Sequence, residues 1–141
     1  MTGSERGHRG LPHTADVRIE AWAPTRDACL SEAVAALVDT FADTTGARPD
    51  RTVTADLTAE SDDDALAAVL DEVIYALDTE DVVPLGLRVE PGPPGVLRIH
   101  LPVTAAGNVE FTGAAPKAVA LSGLSCTREH GRWTCTATID V

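Results

Sequence analysis

The sequence lacks a long hydrophobic run. Its longest stretches of apolar residues, Ala33–Val38 and Ala65–Leu70, have six residues each, whereas a helix that spans a bilayer needs about 20. The first ten residues contain no apolar stretch either. We therefore expect neither a transmembrane helix nor a secretory signal.

Basic residues are also scarce. The chain has 22 acidic residues against 11 basic ones, including a single lysine, Lys117, and its net charge is −11. Strong direct binding to nucleic acid requires a cationic face, and anionic membranes repel an acidic surface, so neither partner is expected. An acidic surface suits hard cations or a basic protein partner, although solubility alone would explain the same charge.

Cysteines and the common catalytic motifs offer little. The three cysteines form no CxxC pair and no spacing typical of a zinc site, and without a secretory signal we expect them reduced in the cytoplasm. The chain has no glycine-rich phosphate loop, no G-x-S-x-G motif and no H-E-x-x-H motif, and its four histidines are dispersed. No catalytic residue and no site for an organic cofactor is predicted.

What the sequence does contain is an element order typical of an α+β fold. Its 141 residues are 44% hydrophobic, which is enough for one folded domain. Residues 1–11 are expected to be a disordered tail, and residues 12–141 a single domain with two helices packed on one face of a mixed β-sheet. Periodicity predicts strands near 17–22, 51–58, 85–89, 97–101, 108–112, 118–127 and 133–141.

Two helices are predicted from their N-caps and apolar stripes. The first follows Thr25 and carries apolar residues at helical spacing as far as Phe41. The second opens at Ser61, with Asp62–Asp64 in its first turn. The three aspartates could form a metal cluster, but favourable capping at the positive end of the helix explains them more simply.

The last two predicted strands form a hairpin around His130-Gly131. If these are the two turn residues, Cys126 lies opposite Cys135, with Cβ atoms about 4.5–5.5 Å apart. A disulfide needs the short end of that range or less. Two free thiols are favoured, and the disulfide remains open.

Two aspartates have an unusual setting. Asp16 stands at the entry to the first strand and Asp140 lies within the last, although aspartate is depleted in strands. The α-carboxylate of Val141 would lie beside the Asp140 side chain, so if the two strands are neighbours, three oxygen donors would suit Ca²⁺ or Mg²⁺. The simpler alternative places Asp140 on a solvated face with threonines.

Four segments in order resemble the archease family. His13-Thr14-Ala15-Asp16-Val17 resembles the opening HTAD motif of that family, followed by an aromatic residue, here Trp22. The other segments are similar to its second helix, its K-A-[VI] segment and its terminal D-[IV]. In this sequence they read Leu70-Asp71-Glu72-Val73-Ile74-Tyr75, Lys117-Ala118-Val119 and Ile139-Asp140-Val141.

The resemblance implies a compact α+β protein that binds a divalent cation, most often calcium, with magnesium or manganese as substitutes. Its ligands would be Asp16, Asp140 and a main-chain or terminal oxygen of Val141. The resemblance also implies a non-catalytic cofactor of an RtcB-type RNA ligase in tRNA splicing and RNA repair, which promotes guanylylation of the ligase and multiple turnover. Asp43 and Glu72 would serve as ion-shell or ligase-facing groups. Lys117 would contact phosphate or the ligase, or would be a solvated lysine that prevents further pairing at a strand edge.

Two other classes of function stay open at this point. A small metal-dependent phosphohydrolase could use an ion held by Asp16 and Asp140 to activate water, although no general base is evident beside them. A general chaperone-like or modulatory binding module would use the acidic surface without any dedicated ligase partner.

Overall fold

A computed structural model describes residues 16–141. The predicted tail, residues 1–11, lies outside the described residues, as do residues 12–15 at the start of the predicted domain. The elements, in chain order, are β1 (Asp16–Ala23), α1 (Arg26–Asp39), β2 (Ala42–Asp43), β3 (Arg51–Thr58), α2 (Asp62–Glu80), β4 (Val82–Pro84), β5 (Arg88–Glu90), β6 (Val96–Ala105), β7 (Glu110–Phe111), β8 (Ala118–Glu129) and β9 (Arg132–Asp140).

The two helices begin where their caps predicted. The Thr25 hydroxyl accepts a hydrogen bond from the Ala28 amide at 3.2 Å, and the Ser61 hydroxyl accepts one from the Asp64 amide at 3.0 Å. Each satisfies an amide that has no partner within the helix. Both N-cap predictions are confirmed.

The predicted end of the first helix was wrong. The helix ends at Asp39, because both the hydroxyl and the amide of Thr40 bond back to the carbonyl of Leu37, at 2.7 and 3.1 Å. Phe41 is fully buried but lies outside the helix, immediately before β2. Its apolar character reflects the core under the helix end and not a further helical turn.

The α+β class with two helices is confirmed, whereas the arrangement of the strands differs in detail. Every strand pairing among residues 16–141 is antiparallel, and the strands form three sheets and not one mixed sheet. One sheet has the order β1-β9-β8 and is called the terminal sheet below. A second has the order β3-β6-β4, with β5 also on β6, and is called the charge-paired sheet. β2 and β7 form a short third ladder.

The strand predicted over 85–89 was misplaced, because residues 85–87 lie between two short strands, β4 and β5. β4 and β5 both pair with β6, but the register shifts by one residue between them, opposite Pro102. Proline has no amide hydrogen to donate to a ladder, so the pairing breaks there. The strand predicted over 108–112 is reduced to β7, because a 3₁₀ turn occupies Ala106–Asn108.

The predicted hairpin is confirmed. His130 and Gly131 both have positive φ, 54° and 76°, as a two-residue turn between right-twisted strands requires. Cys126 lies opposite Cys135. All three cysteines are free and buried: the Sγ of Cys135 lies 3.5 Å from that of Cys126 and 3.1 Å from that of Cys29 on α1.

The core lies between the helices and the two larger sheets. The largest fully buried side chains come from both helices, both central strands and the residue before β2: Leu30, Leu37, Phe41, Leu66, Leu70, Ile99, Leu101 and Ile139. Along β1 and β9, buried residues alternate with exposed or half-buried ones, so each strand presents a polar face to solvent. Within residues 16–141, neither helix combines the length and apolar content that crossing a bilayer requires.

Candidate metal centre

The first and last strands are neighbours, and their register places Asp16 directly opposite Asp140. Directly opposed residues of antiparallel strands project from the same face of the sheet, with Cβ atoms about 4.5–5.5 Å apart. Both aspartates are exposed. Two carboxylates separated by 124 positions in the sequence are therefore brought together at one end of the terminal sheet.

Asp140 is held by the backbone on both sides. It pairs with Asp16 of β1 and with Ala118 of β8. Its carbonyl also accepts a hydrogen bond from the Lys117 amide at 2.7 Å. Val141 follows directly and is half-buried, packed against the core cluster. The chain is therefore held by the terminal sheet up to the residue before Val141.

The charges on this face are of like sign where the strands meet. Like charges directly opposite on a sheet are destabilising. Arg18 projects from the same face two positions along β1, opposite Thr138, but within the described residues no ion pair joins it to either aspartate. Among residues 16–141, no basic side chain forms an ion pair with Asp16 or Asp140 that would offset their repulsion.

The donor set fits a hard cation only as part of a larger shell. Across residues 16–141, no group of three or more His, Cys, Asp or Glu side chains could hold a metal ion. The predicted centre would offer two such side chains, Asp16 and Asp140, and a main-chain oxygen of Val141 would be the third donor. Calcium takes six to eight oxygen ligands, so water or a partner would complete the shell.

The other predicted site residues are dispersed over several elements. Asp43 lies on β2 opposite Glu110. Its pKa is lowered by the Thr45 side chain and, to a smaller extent, by the Thr45 amide, which donates to the Asp43 carboxylate at 3.0 Å. Glu72 is half-buried on α2, where burial, with a smaller contribution from Glu80, raises its pKa. Lys117 is exposed and joins the candidate centre through its backbone.

The three aspartates at the start of α2 are not a cluster of ligands. Asp62 forms an ion pair with Arg26 at 3.1 Å. The Asp63 carboxylate accepts a hydrogen bond from the Cys126 amide at 2.7 Å, and that of Asp64 lies 3.3 Å from the Glu60 amide. The capping interpretation is supported, because the three side chains bind different groups.

One polar network was missed at the sequence level. His100 on β6 contacts the Thr54 hydroxyl through Nδ1 at 2.9 Å and the Glu90 carboxylate through Nε2 at 2.7 Å. Arg98 binds Asp56 through two hydrogen bonds, at 2.6 and 2.9 Å. These side chains join β3, β5 and β6 on the exposed face of the charge-paired sheet. Their only sequence signal is the period-two placement of polar residues.

Comparison with known proteins gives a consistent family. The model of the archease protein family matches residues 8–141. A probable protein archease of Mycobacterium tuberculosis is 46% identical over 139 residues, which cover 99% of this chain and 77% of the relative.

Two solved structures share the fold. An archease of Thermotoga maritima, described as a possible chaperone, superposes with a TM-score of 0.69 at 15% identity, covering 98% of this chain and 100% of that one. The solution structure of a protein of Methanobacterium thermoautotrophicum superposes with a TM-score of 0.71 at 19% identity, covering 93% of this chain and 96% of that one.

Proposed function

The chain belongs to the archease family, and from that membership we propose that it is a non-catalytic activator of an RtcB-type RNA ligase in the cytoplasm. It would promote guanylylation of the ligase and multiple turnover in tRNA splicing or RNA repair. A divalent cation, most often calcium, would be held by Asp16, Asp140 and main-chain oxygen of Val141.

The observation that supports this proposal most directly is the register of the terminal sheet. Asp16 lies opposite Asp140, and the Asp140 carbonyl is anchored by the Lys117 amide at 2.7 Å. Opposed carboxylates cost stability when they stand alone, and a cation removes that cost. The pairing therefore favours a site that is completed from outside the chain.

In the proposed activity, this chain positions groups of the ligase and does not itself react. Transfer of a nucleotidyl group to a ligase histidine depends on the placement of reacting groups and on neutralising charge at the phosphates. Asp16 and Asp140 would present anionic oxygens at one rigid sheet end, which can dock against a cationic site. A bound cation would supply charge neutralisation there. The same docking could instead stabilise a competent ligase conformation by binding it preferentially.

Single-turnover guanylylation of purified ligase with GTP tests the proposal. We expect Asp16→Asn and Asp140→Asn each to reduce the stimulated rate by about tenfold or more, as loss of support at a metal site commonly does. Glu20→Gln is the matched control, since Glu20 lies on the same strand and the same face as Asp16 and is also exposed. Full stimulation by both Asn variants would remove the acidic pair from the mechanism.

Calcium titration of chelator-treated protein tests the cation separately. Heat of binding should be present in the parent and in Glu20→Gln, and should be lost in Asp16→Asn and Asp140→Asn. If the parent binds neither calcium nor magnesium at millimolar concentration, the cation is not part of the site. A ligase rate that still depends on the aspartates would then assign them a direct contact with the ligase.

The two rival functions predict different results in assays of the same purified protein. A phosphohydrolase would turn over phosphoesters when supplied with metal alone, and Asp140→Asn would abolish that turnover. A general chaperone-like module would suppress aggregation of unrelated proteins without any preference for the ligase. Ligase stimulation with neither activity supports the proposed role.

A further inference from the structure

We propose that an apolar groove beside the candidate metal centre is a second contact with the ligase and takes a segment carrying an apolar side chain flanked by lysine or arginine. This inference rests on the proposed function, since the partner is the same ligase. The groove has a volume of about 340 Å³ and runs between α2 and the segment that follows β7. Its principal lining residues are Ile74, Leu77, Asp78, Asp81, Phe111 and Pro116.

One wall is a single stripe of α2 and its C-cap. Ile74, Leu77, Asp78 and Asp81 occupy positions i, i+3, i+4 and i+7, which lie on one face of a helix. The two apolar members are half-buried and the two acids are exposed. An apolar floor with an acidic rim is the complement of an apolar side chain with cationic neighbours.

Asp78 and Asp81 lie at the end of α2 where negative charge is unfavourable. The C-terminal end of a helix carries partial negative charge and favours basic residues, but the last turn of α2 contains none. Glu80 is paired with Arg51 at 3.1 Å, whereas Asp78 and Asp81 have no ion pair within residues 16–141. Asp81 also adopts φ 56° at the C-cap, a conformation that glycine or asparagine takes more readily. Local stability is reduced at these acids, which favours an external cationic partner.

The opposite wall is held in place before any partner arrives. Phe111, 43% exposed, packs its ring against fully buried Phe41, with centroids 5.6 Å apart. The Phe41 carbonyl accepts hydrogen bonds from the amides of Thr112 and Gly113, at 2.9 and 3.4 Å. A Cβ at Gly113 would lie within van der Waals overlap of the Thr40 carbonyl oxygen. A wall fixed in this way loses little conformational entropy on binding.

The groove and the candidate metal centre adjoin along the chain. Pro116 lines the groove, and the amide of the next residue, Lys117, bonds to the Asp140 carbonyl at 2.7 Å. This adjacency, together with the charge of the rim, favours the ligase as the occupant over a separate partner.

The kinetics of binding to purified ligase, with calcium present, test the groove. We expect Phe111→Ala to raise the dissociation rate about tenfold, as removal of a central aromatic contact commonly does, with little change in association. Asp78→Asn combined with Asp81→Asn should lower the association rate about three- to tenfold at low salt, and that effect should vanish at high salt. Leu121→Ala is the control, because Leu121 is 79% exposed in the irregular part of β8 and lies outside the groove.

Thermal unfolding separates these effects from loss of fold. The double Asn variant should melt at or above the temperature of the parent, because it removes negative charge from a helix C-terminus and Asn tolerates the C-cap conformation. Slower association by a more stable protein cannot come from misfolding. A melting temperature that falls with the association rate would overturn the proposal.

Each other outcome also decides between the proposals. If the parent binds the ligase and Phe111→Ala and the double Asn variant bind equally well, the groove is not a contact, while the proposed function stands. If the parent does not bind the ligase, both proposals fail. If Phe111→Ala breaks a dimer of this chain, or if deletion of residues 1–11 produces the same change in ligase binding as Phe111→Ala, the occupant is this chain itself and the proposal is wrong.

Discussion

The two larger sheets use the same cross-strand geometry with opposite charge patterns. On the charge-paired sheet, Asp56 lies opposite Arg98 and binds it through two hydrogen bonds, at 2.6 and 2.9 Å. On the terminal sheet, Asp16 lies opposite Asp140. Opposite charges at such positions contribute about 0.2–1 kcal/mol, and like charges cost a similar amount. The charge-paired sheet balances its opposed charges, whereas the terminal sheet leaves negative charge to be neutralised.

The difference shows where the fold supplies stability and where a partner acts. The acids of the charge-paired sheet are matched by arginine or histidine, as in the contact between Glu90 and His100 at 2.7 Å. Asp16 and Asp140 on the terminal sheet, and Asp78 and Asp81 at the end of α2, have no such match among residues 16–141. In a chain of net charge −11, these acids leave unmatched negative charge that attracts a cation or a basic surface.

The largest expected effects come from the cores beneath the two sheets. Ile139 and Ile99 are both fully buried on central strands, β9 and β6. Replacing either with alanine should lower the free energy of unfolding by about 2–5 kcal/mol. Ile139, however, adjoins Asp140 and pairs with Val17 and Val119. Ile139→Ala should therefore also weaken calcium binding, whereas Ile99→Ala should leave it intact.

Urea unfolding and calcium titration together check this prediction. Ile139→Val and Ile99→Val, each expected to cost about 0.5–1.5 kcal/mol, provide folded variants if the alanine forms are too unstable. Equal weakening of calcium binding by the Ile99 and Ile139 variants would show that the candidate metal centre depends on global stability. The contrast between the two sheets would then lose its meaning for function.

A smaller effect on the free energy of unfolding, that of Asp140→Asn, should depend on calcium. Asp140→Asn removes one of two opposed charges, so in chelator it should raise the free energy of unfolding by up to about 1 kcal/mol. With millimolar calcium that gain should shrink or reverse, because the parent alone is stabilised by the ion. Asp56→Asn is the counterpart on the other sheet and should destabilise under both conditions. Thermal unfolding of the two variants, with and without calcium, measures the comparison.

A gain for Asp140→Asn that stays the same in chelator and in calcium would mean that no ion relieves the repulsion. The opposed aspartates would then be a contact for protein side chains only. Repeating the thermal unfolding with magnesium in place of calcium tests the size preference of the site, since magnesium demands a tighter octahedral shell.

Much of the fold could be predicted because its determinants are local. The caps Thr25 and Ser61 bind amides three residues away, and the turn at His130-Gly131 fixes the register that sets Cys126 opposite Cys135. Such signals need only neighbouring residues. The break between β4 and β5 could not be read in this way, because it arises from Pro102 on another strand.

In the candidate site, too, local signals indicate one part and only the tertiary structure shows the other. Alternation within β9 indicates the face on which Asp140 lies, but only the pairing of β1 with β9 brings it to Asp16. That pairing depends on packing across the whole chain, so the sequence could raise it only as a condition. The third cysteine of the buried cluster, Cys29, was missed for the same reason, since it reaches Cys135 from α1.

The smallest expected effect is a pH dependence confined to the charge-paired sheet. The Arg98 guanidinium holds the pKa of Asp56 below its ordinary value of 3.8. A lowered pKa in the folded state stabilises the protein above that ordinary value, and the stabilisation is lost as the pH falls through the folded pKa. Arg98→Met should therefore melt below the parent at neutral pH, by an amount that narrows below about pH 4. Thermal unfolding from about pH 3 to 7 measures the gap. A gap that stays constant over this range would show that Arg98 stabilises the sheet by packing and not through the charge of Asp56.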